Sequence, residues 1–179
     1  YITMNEKPIV VIQTGHMRTG TTLLVNLLYG FISPHEKIHC LWETHHDIQV
    51  FHNKCNIYKS HCLNIDEFMR YNQEKYNVFF VCTERDDKKI DEKYRNMRNV
   101  LLFDYNEILE TDSYTTDQII ENTYNKLLAF LPESVLLDKE TCITRIENMN
   151  ETYKEIENKD FSHVDDFFQL HGKHRNRDT

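Results

Sequence analysis

Apolar residues along this chain gather into short runs divided by turn residues. Pro8-Ile9-Val10-Val11-Ile12-Gln13-Thr14 is a β-branched run that stops at Gly15, the pattern of a buried strand closed by a turn. Leu23, Leu24, Leu27 and Leu28 follow at helical spacing, with Gly30 as the expected C-terminal cap. Lys37 to Leu41 reads as a second short strand after the Ser33-Pro34 turn. Asn77 to Cys82 is the clearest strand in the chain, and Val100 to Phe103 supplies another. From Trp42 to Cys62 no clean period emerges, so an irregular segment carrying part of a site or a lid is expected.

Helix signals fall between the strands. Asn64 with Glu67 forms a capping pair that opens a helix toward Tyr76, and the charged stretch Glu84 to Arg98 is placed on an exposed helix. Thr115 with Gln118 caps an amphipathic helix whose positions Ile119, Ile120, Thr123, Tyr124, Leu127, Leu128 and Leu131 share one face, with Pro132 past its end. A weaker helix covers Glu140 to Glu157. Strands alternating with helices define an α/β fold, a three-layer α/β/α arrangement around a central parallel sheet.

A length of 179 residues suits one such domain. Residues 1–179 are accordingly read as a single unit, with 160–179 a basic C-terminal tail docked on the core through Phe161, Phe167, Phe168 and Leu170. No apolar run approaches the ~20 residues of a membrane span, and the chain does not open on a basic-then-apolar signal pattern. A cytoplasmic setting without membrane contact is therefore expected, and the odd, scattered set Cys40, Cys55, Cys62, Cys82 and Cys142 does not form a secreted disulfide framework. A net charge of -8 argues against a nucleic-acid partner, which requires a basic footprint. Positive charge is concentrated instead between Thr83 and Arg98, with 6 basic against 5 acidic residues, and in the tail, as a small anion requires.

The chemistry centres on Gly15-His16-Met17-Arg18-Thr19-Gly20-Thr21-Thr22. Two glycines five apart, between a β-run and a helix, let backbone N–H groups converge on an anion at the positive end of the helix. The spacing is that of the GxxxxGK[ST] loop of ATP- and GTP-binding proteins, with Thr21 where the lysine belongs. That lysine reaches the β and γ phosphates, so its replacement weakens a triphosphate reading. Three alternatives stand beside a catalytic reading of the loop: a divergent nucleotide kinase or NTPase, with Glu84 or Asp104 holding Mg²⁺; a non-catalytic nucleotide-binding module; and an ordinary tight turn.

The loop from Gly15 to Leu23 resembles the 5′-phosphosulfate loop of sulfotransferases that use 3′-phosphoadenylyl sulfate, with the nearest motifs in the tyrosylprotein and other Golgi-type members. The resemblance implies a P-loop-like fold and transfer of a sulfuryl group to an acceptor hydroxyl of a glycan, a tyrosine or a small molecule. Adenosine 3′,5′-bisphosphate would be the product, and no metal would be required. In this reading Gly15, Arg18, Thr19, Gly20, Thr21 and Thr22 hold the 5′ end of the cofactor, with Arg18 as the catalytic cation.

Other segments follow in the family's order. Cys40-Leu41-Trp42-Glu43-Thr44-His45 is similar to the Glu-Glu-Thr-Arg stretch that carries the base, which makes Glu43 the first candidate and His45 the second. Phe79-Phe80-Val81-Cys82-Thr83-Glu84-Arg85-Asp86 is similar to a strand ending in Arg-Asp, whose arginine binds the 3′-phosphate. Lys93 stands where relatives carry a serine for the same anion. Leu101 to Leu109 resembles the Tyr-Glu-Asp-Leu segment, and Lys173 and Arg175 in the tail are candidates to close over the 3′-phosphate as a late basic segment does in cytosolic sulfotransferases, whose Arg-Lys-Gly motif this tail does not reproduce. His52, Cys55, His61 and Cys62 invite a zinc reading, but their spacing fits no common finger and no metal site is assigned.

Overall fold

Period-two alternation in the strands sorts the apolar side chains onto the two faces of one sheet. The computed structural model describes residues 6–17, 19–33, 35–38, 48, 50–61 and 63–155. Its strands are β1 (Ile9–Gly15), β2 (His35–Ile38), β3 (Cys55–His61), β4 (Asn77–Glu84) and β5 (Val100–Asp104). All pair in parallel, in the order β2, β3, β1, β4, β5. On one face Val11, Ile57, Val81 and Phe103 meet the helices α1 (Thr21–Phe31), α4 (Thr116–Phe130) and α5 (Lys139–Glu155) through Leu27, Phe31, Ile120, Leu127 and Ile146. On the other, Val10, Ile12, Tyr58 and Phe80 meet Ile65 and Phe68 of α2 (Ile65–Asn72) together with Tyr94. The result is the expected three-layer α/β/α fold.

The strand order decides where a ligand goes. β1 lies at the centre, and the chain leaves it toward β3 on one side and later toward β4 on the other. Connections that diverge in this way open a crevice at the carboxyl ends of the strands. Gly15, the last residue of β1, lies there, opposite His61 of β3 and Thr83 of β4. The short helix α3 (Tyr105–Ile108) starts directly from the end of β5 at the same edge.

Both capping signals act as expected. The Asn64 side chain accepts the Glu67 N–H at 3.1 Å, and Thr115 and Gln118 form a reciprocal capping box at the start of α4.

Several boundaries differ from the sequence expectations. Gly30 is buried inside α1, which ends at Phe31 with Ile32 as its cap. The second strand, His35–Ile38, begins two residues before the expected Lys37, with 39–41 of the expected Lys37–Leu41 outside the described residues, and α2 stops at Asn72 short of Tyr76. β3 occupies a stretch expected to be irregular, because a fully buried asparagine stands in for an apolar residue. The Asn56 amide donates to the carbonyls of Ile9, Phe51 and Lys54, and its oxygen accepts the Phe51 N–H. Glu84 to Arg98 is not a helix. β4 runs on to Glu84, an Arg85–Lys88 turn follows, and only Glu92–Tyr94 forms a single 3₁₀ turn, capped by Asp91. The charges there bond to one another and to the loop, so they do not line a helix surface. On α4, Leu128 is 45% exposed, since the 100° step past buried Leu127 carries it off the core stripe. The tail 160–179 lies outside the described residues.

Candidate anion-binding site at the glycine loop

Each glycine of the loop is required by its surroundings. A Cβ at Gly15 would sit 2.5 Å from the Thr83 hydroxyl and 2.7 Å from the Thr83 carbonyl. Gly20 has φ 88° and ψ 24°, the left-handed conformation that glycine adopts at little cost. A Cβ there would also approach Ile108 Cδ1 to 2.9 Å. Gly20 is the N-cap of α1, and its carbonyl accepts the Leu24 N–H at 2.9 Å. The first turn, Thr21-Thr22-Leu23-Leu24, holds no carboxylate, so the positive end of the helix, with the N–H groups that precede Leu24, carries no internal anion.

Thr19 has a framing role. Its buried hydroxyl donates to the His16 carbonyl at 2.7 Å and lies 2.7 Å from the Thr83 hydroxyl, which must then be the donor of that second bond. What Thr19 can offer an anion is therefore its backbone N–H. Thr21 is buried at the first position of α1, and Thr22 is half-buried beside it.

Thr22 leads to a residue that sequence reasoning missed. Lys59 of β3 donates from Nζ to Thr22 Oγ1 at 2.8 Å, which delivers an ammonium to the start of α1 from a neighbouring strand. The loop lacks its own lysine at position 21, and Lys59 brings the cation from across the sheet. His61, two residues on, shares the face of Lys59 and is the register partner of Gly15. A lysine and a histidine alternating at the end of a strand are the signal that would have revealed them, had β3 been recognised.

The segment after β4 braces the loop from the other side. Lys88 donates to the Met17 carbonyl at 3.1 Å, and the His16 ring Nε2 lies 3.1 Å from the Lys89 carbonyl. Arg85 sits over the Tyr105 ring at 5.3 Å, with Nε 3.3 Å from Asp87. Tyr105 in turn lies against Gly20, 3.3 Å from where a Cβ would stand. Arg85 is thus tied to the loop. Lys93 turns toward α2, where it pairs with Asp66 at 2.7 Å and covers the Tyr94 ring at 4.9 Å. Asp66 holds the Lys93 ammonium above its ordinary pKa, and Lys93 holds the Asp66 carboxyl below its own. The two cations expected to share one phosphate are therefore held on different elements.

Two acids belonging to a magnesium-dependent reading are already engaged. Buried Glu84 accepts from Arg95 with both oxygens, at 2.8 and 2.7 Å, and Asp104 caps α3 by accepting the Asn106 N–H. Cys82, on β4 one residue before Thr83, is buried and its thiol is pushed up to about 12, so it is not a thiolate nucleophile. Arg18, Glu43, His45, Lys173 and Arg175 lie outside the described residues. Among the described residues no group of three His, Cys, Asp or Glu side chains can hold a metal ion, and no helix is long and apolar enough to cross a membrane.

The fold is that of an α/β protein, with the glycine loop, a candidate anion site, at the switch point of its parallel sheet. Comparison with protein-family models, with curated proteins and with solved structures gives no match.

Proposed function

We propose that the chain is a sulfotransferase that moves a sulfuryl group from 3′-phosphoadenylyl sulfate to an acceptor hydroxyl. The observation that carries this reading is the Lys59–Thr22 contact at the Gly20-capped start of α1. A sulfuryl donor carries less charge than a triphosphate, and one strand-borne ammonium with loop amides and two hydroxyls suits its 5′ end. As the acceptor oxygen bonds to sulfur and the sulfur–oxygen bond to the 5′-phosphate breaks, negative charge develops on the departing phosphate oxygen. Lys59, Thr21, Thr22 and the helix N-terminus, together with Arg18, would stabilise that charge.

The acceptor proton goes to a base. Glu43 is the candidate from the resemblance, and His61 is the described residue best placed for the same task, level with Gly15 and on the Lys59 face. Arg85 is the candidate for the 3′-phosphate. The Arg95 grip on Glu84 favours this reading over a kinase, since Mg²⁺ would have to displace a guanidinium. A cytoplasmic setting belongs to the proposal, in keeping with Cys55, Cys82 and Cys142 as buried thiols.

The test is calorimetric titration with adenosine 3′,5′-bisphosphate, and with ATP plus Mg²⁺ in parallel, on the native chain, Arg18→Ala and Lys59→Met. Selective binding of the bisphosphate, weakened in both variants, is expected. Preference for ATP with Mg²⁺ would transfer the assignment to a kinase, and binding of neither would overturn a nucleotide site.

A further inference from the structure

Gln13 is the first polar side chain in the buried run of β1. Val10, Val11 and Ile12 before it are apolar and fully buried, and Gln13 is buried just as completely. Its Nε2 donates to the Thr14 carbonyl at 3.3 Å, which turns the amide oxygen the other way, and among the described residues that Oε1 has no hydrogen-bond partner. A buried acceptor without a donor costs stability, and an apolar side chain of similar size at the same place would not.

Face and register identify the donor. Alternation puts Gln13 on the α1 side of the sheet with Val11, and Lys59 on that side with Ile57. Gln13 and Lys59 are direct register partners across β1 and β3. Neighbouring strands lie about 4.8 Å apart, so the two side chains stand side by side. On the other flank the partner is Val81, which has no side-chain donor, and Thr83 beyond it gives its hydroxyl proton to Thr19. Lys59 already reaches over this ground, since its Nζ donates to Thr22 Oγ1 at 2.8 Å. An ammonium has three N–H donors, enough to hold Thr22 Oγ1, Gln13 Oε1 and an anion on the first turn of α1 together.

We infer that Gln13 is a positioning residue for the anion: when an anion docks on the glycine loop, Gln13 Oε1 accepts one N–H of Lys59 and fixes the ammonium between strand and helix, facing the ligand. Gln13 acts through Lys59 and touches no ligand atom itself. The unmatched oxygen lowers the stability of the empty protein and is satisfied on binding, the relation expected of a group kept for function. This inference rests on the proposed function only for the anion at the start of α1, and not for the chemistry performed on it.

The experiment is a double-mutant cycle on the full chain. Native protein, Gln13→Met, Lys59→Met and the double variant are titrated calorimetrically with adenosine 3′,5′-bisphosphate and with inorganic pyrophosphate, and each is unfolded in urea, with Gln13→Leu as a second replacement. The expected result is a loss of affinity of about fivefold or more in Gln13→Met that shrinks to less than about twofold when residue 59 is already changed, with a urea midpoint no lower than that of the native chain. Undiminished affinity in both Gln13 variants, an equal loss with and without Lys59, or a loss of affinity that follows a loss of stability overturns the inference. The equal loss would give the oxygen to another donor, such as His61, the next residue of β3 on the same face. Binding of pyrophosphate but not of the bisphosphate, with the cycle as expected, leaves Gln13 in its role and removes the sulfotransferase reading instead. Binding of neither by the native chain removes both.

Discussion

Lys59 Nζ and Thr22 Oγ1 meet at 2.8 Å, joining the interior strand β3 to the first turn of α1. A charged donor in a half-buried position contributes more than a neutral one, because the surrounding dielectric is lower than that of water. The same ammonium is within reach of any anion seated on the first turn of the helix.

Lys59→Met keeps most of the aliphatic stem and removes the charge. Affinity for adenosine 3′,5′-bisphosphate is expected to fall about tenfold or more, in line with ~1.5–3 kcal/mol for a hydrogen bond to a charged group. Thr22→Val removes the hydroxyl that positions the ammonium and should weaken binding less. Titration calorimetry, with circular dichroism to confirm the fold, checks both.

Gly20→Ala forces a side chain into a left-handed residue and brings a methyl 2.9 Å from Ile108 Cδ1. The expected loss is about 1–3 kcal/mol of stability, read from urea unfolding. Substitution of Gly30, which lies inside α1, carries no such backbone strain.

Asn56→Ala withdraws one side chain from four backbone partners around β3 and the 51–54 turn. Buried groups left without a partner are penalised individually, so a loss of about 2–4 kcal/mol in unfolding free energy is expected, read from urea unfolding. Asn56→Asp should be worse, since a carboxylate cannot donate to the three carbonyls.

The Asp66–Lys93 pair sets a pH dependence with two ends. The Asp66 carboxyl lies below its ordinary pKa of 3.8, with Lys93 as the main cause, so its contribution is present above that value and is lost as pH falls through the lower, folded-state value. Lys93 lies above its ordinary 10.5, with Asp66 as the main cause, so its contribution is complete below 10.5 and is lost as pH rises through the higher, folded-state value. Thermal midpoints across pH, for the native chain and for Asp66→Asn, should show both flanks flattened in the variant. Both groups are exposed, so the change is expected to be modest and to shrink in salt.

How much of this was legible in the sequence differs by element. The loop, α1, β4, β5 and the capped start of α4 were readable because their signals are local: a β-branched run, two glycines, a threonine three residues before a glutamine. β3 was hidden because its burial is achieved with polar residues, Asn56 and Ser60 among them, whose partners are supplied by the fold. The segment from Glu84 to Arg98 looked helical from its charge alone. Its carboxylates and cations pair across short turns, Glu84 with Arg95 and Arg85 with Asp87. Lys59 was missed with β3, since nothing in local sequence brings it to residue 22.

Thr83 completes the loop from a distance of 64 residues in the chain, its hydroxyl 2.7 Å from that of Thr19. β1 likewise acquires its β4 partner only when that same segment is in place. The geometry of the glycine loop is therefore completed late along the polypeptide. An amino-terminal fragment that ends before β4 contains the whole glycine motif but lacks both the strand that flanks Gly15 and the Thr83 hydroxyl that holds Thr19.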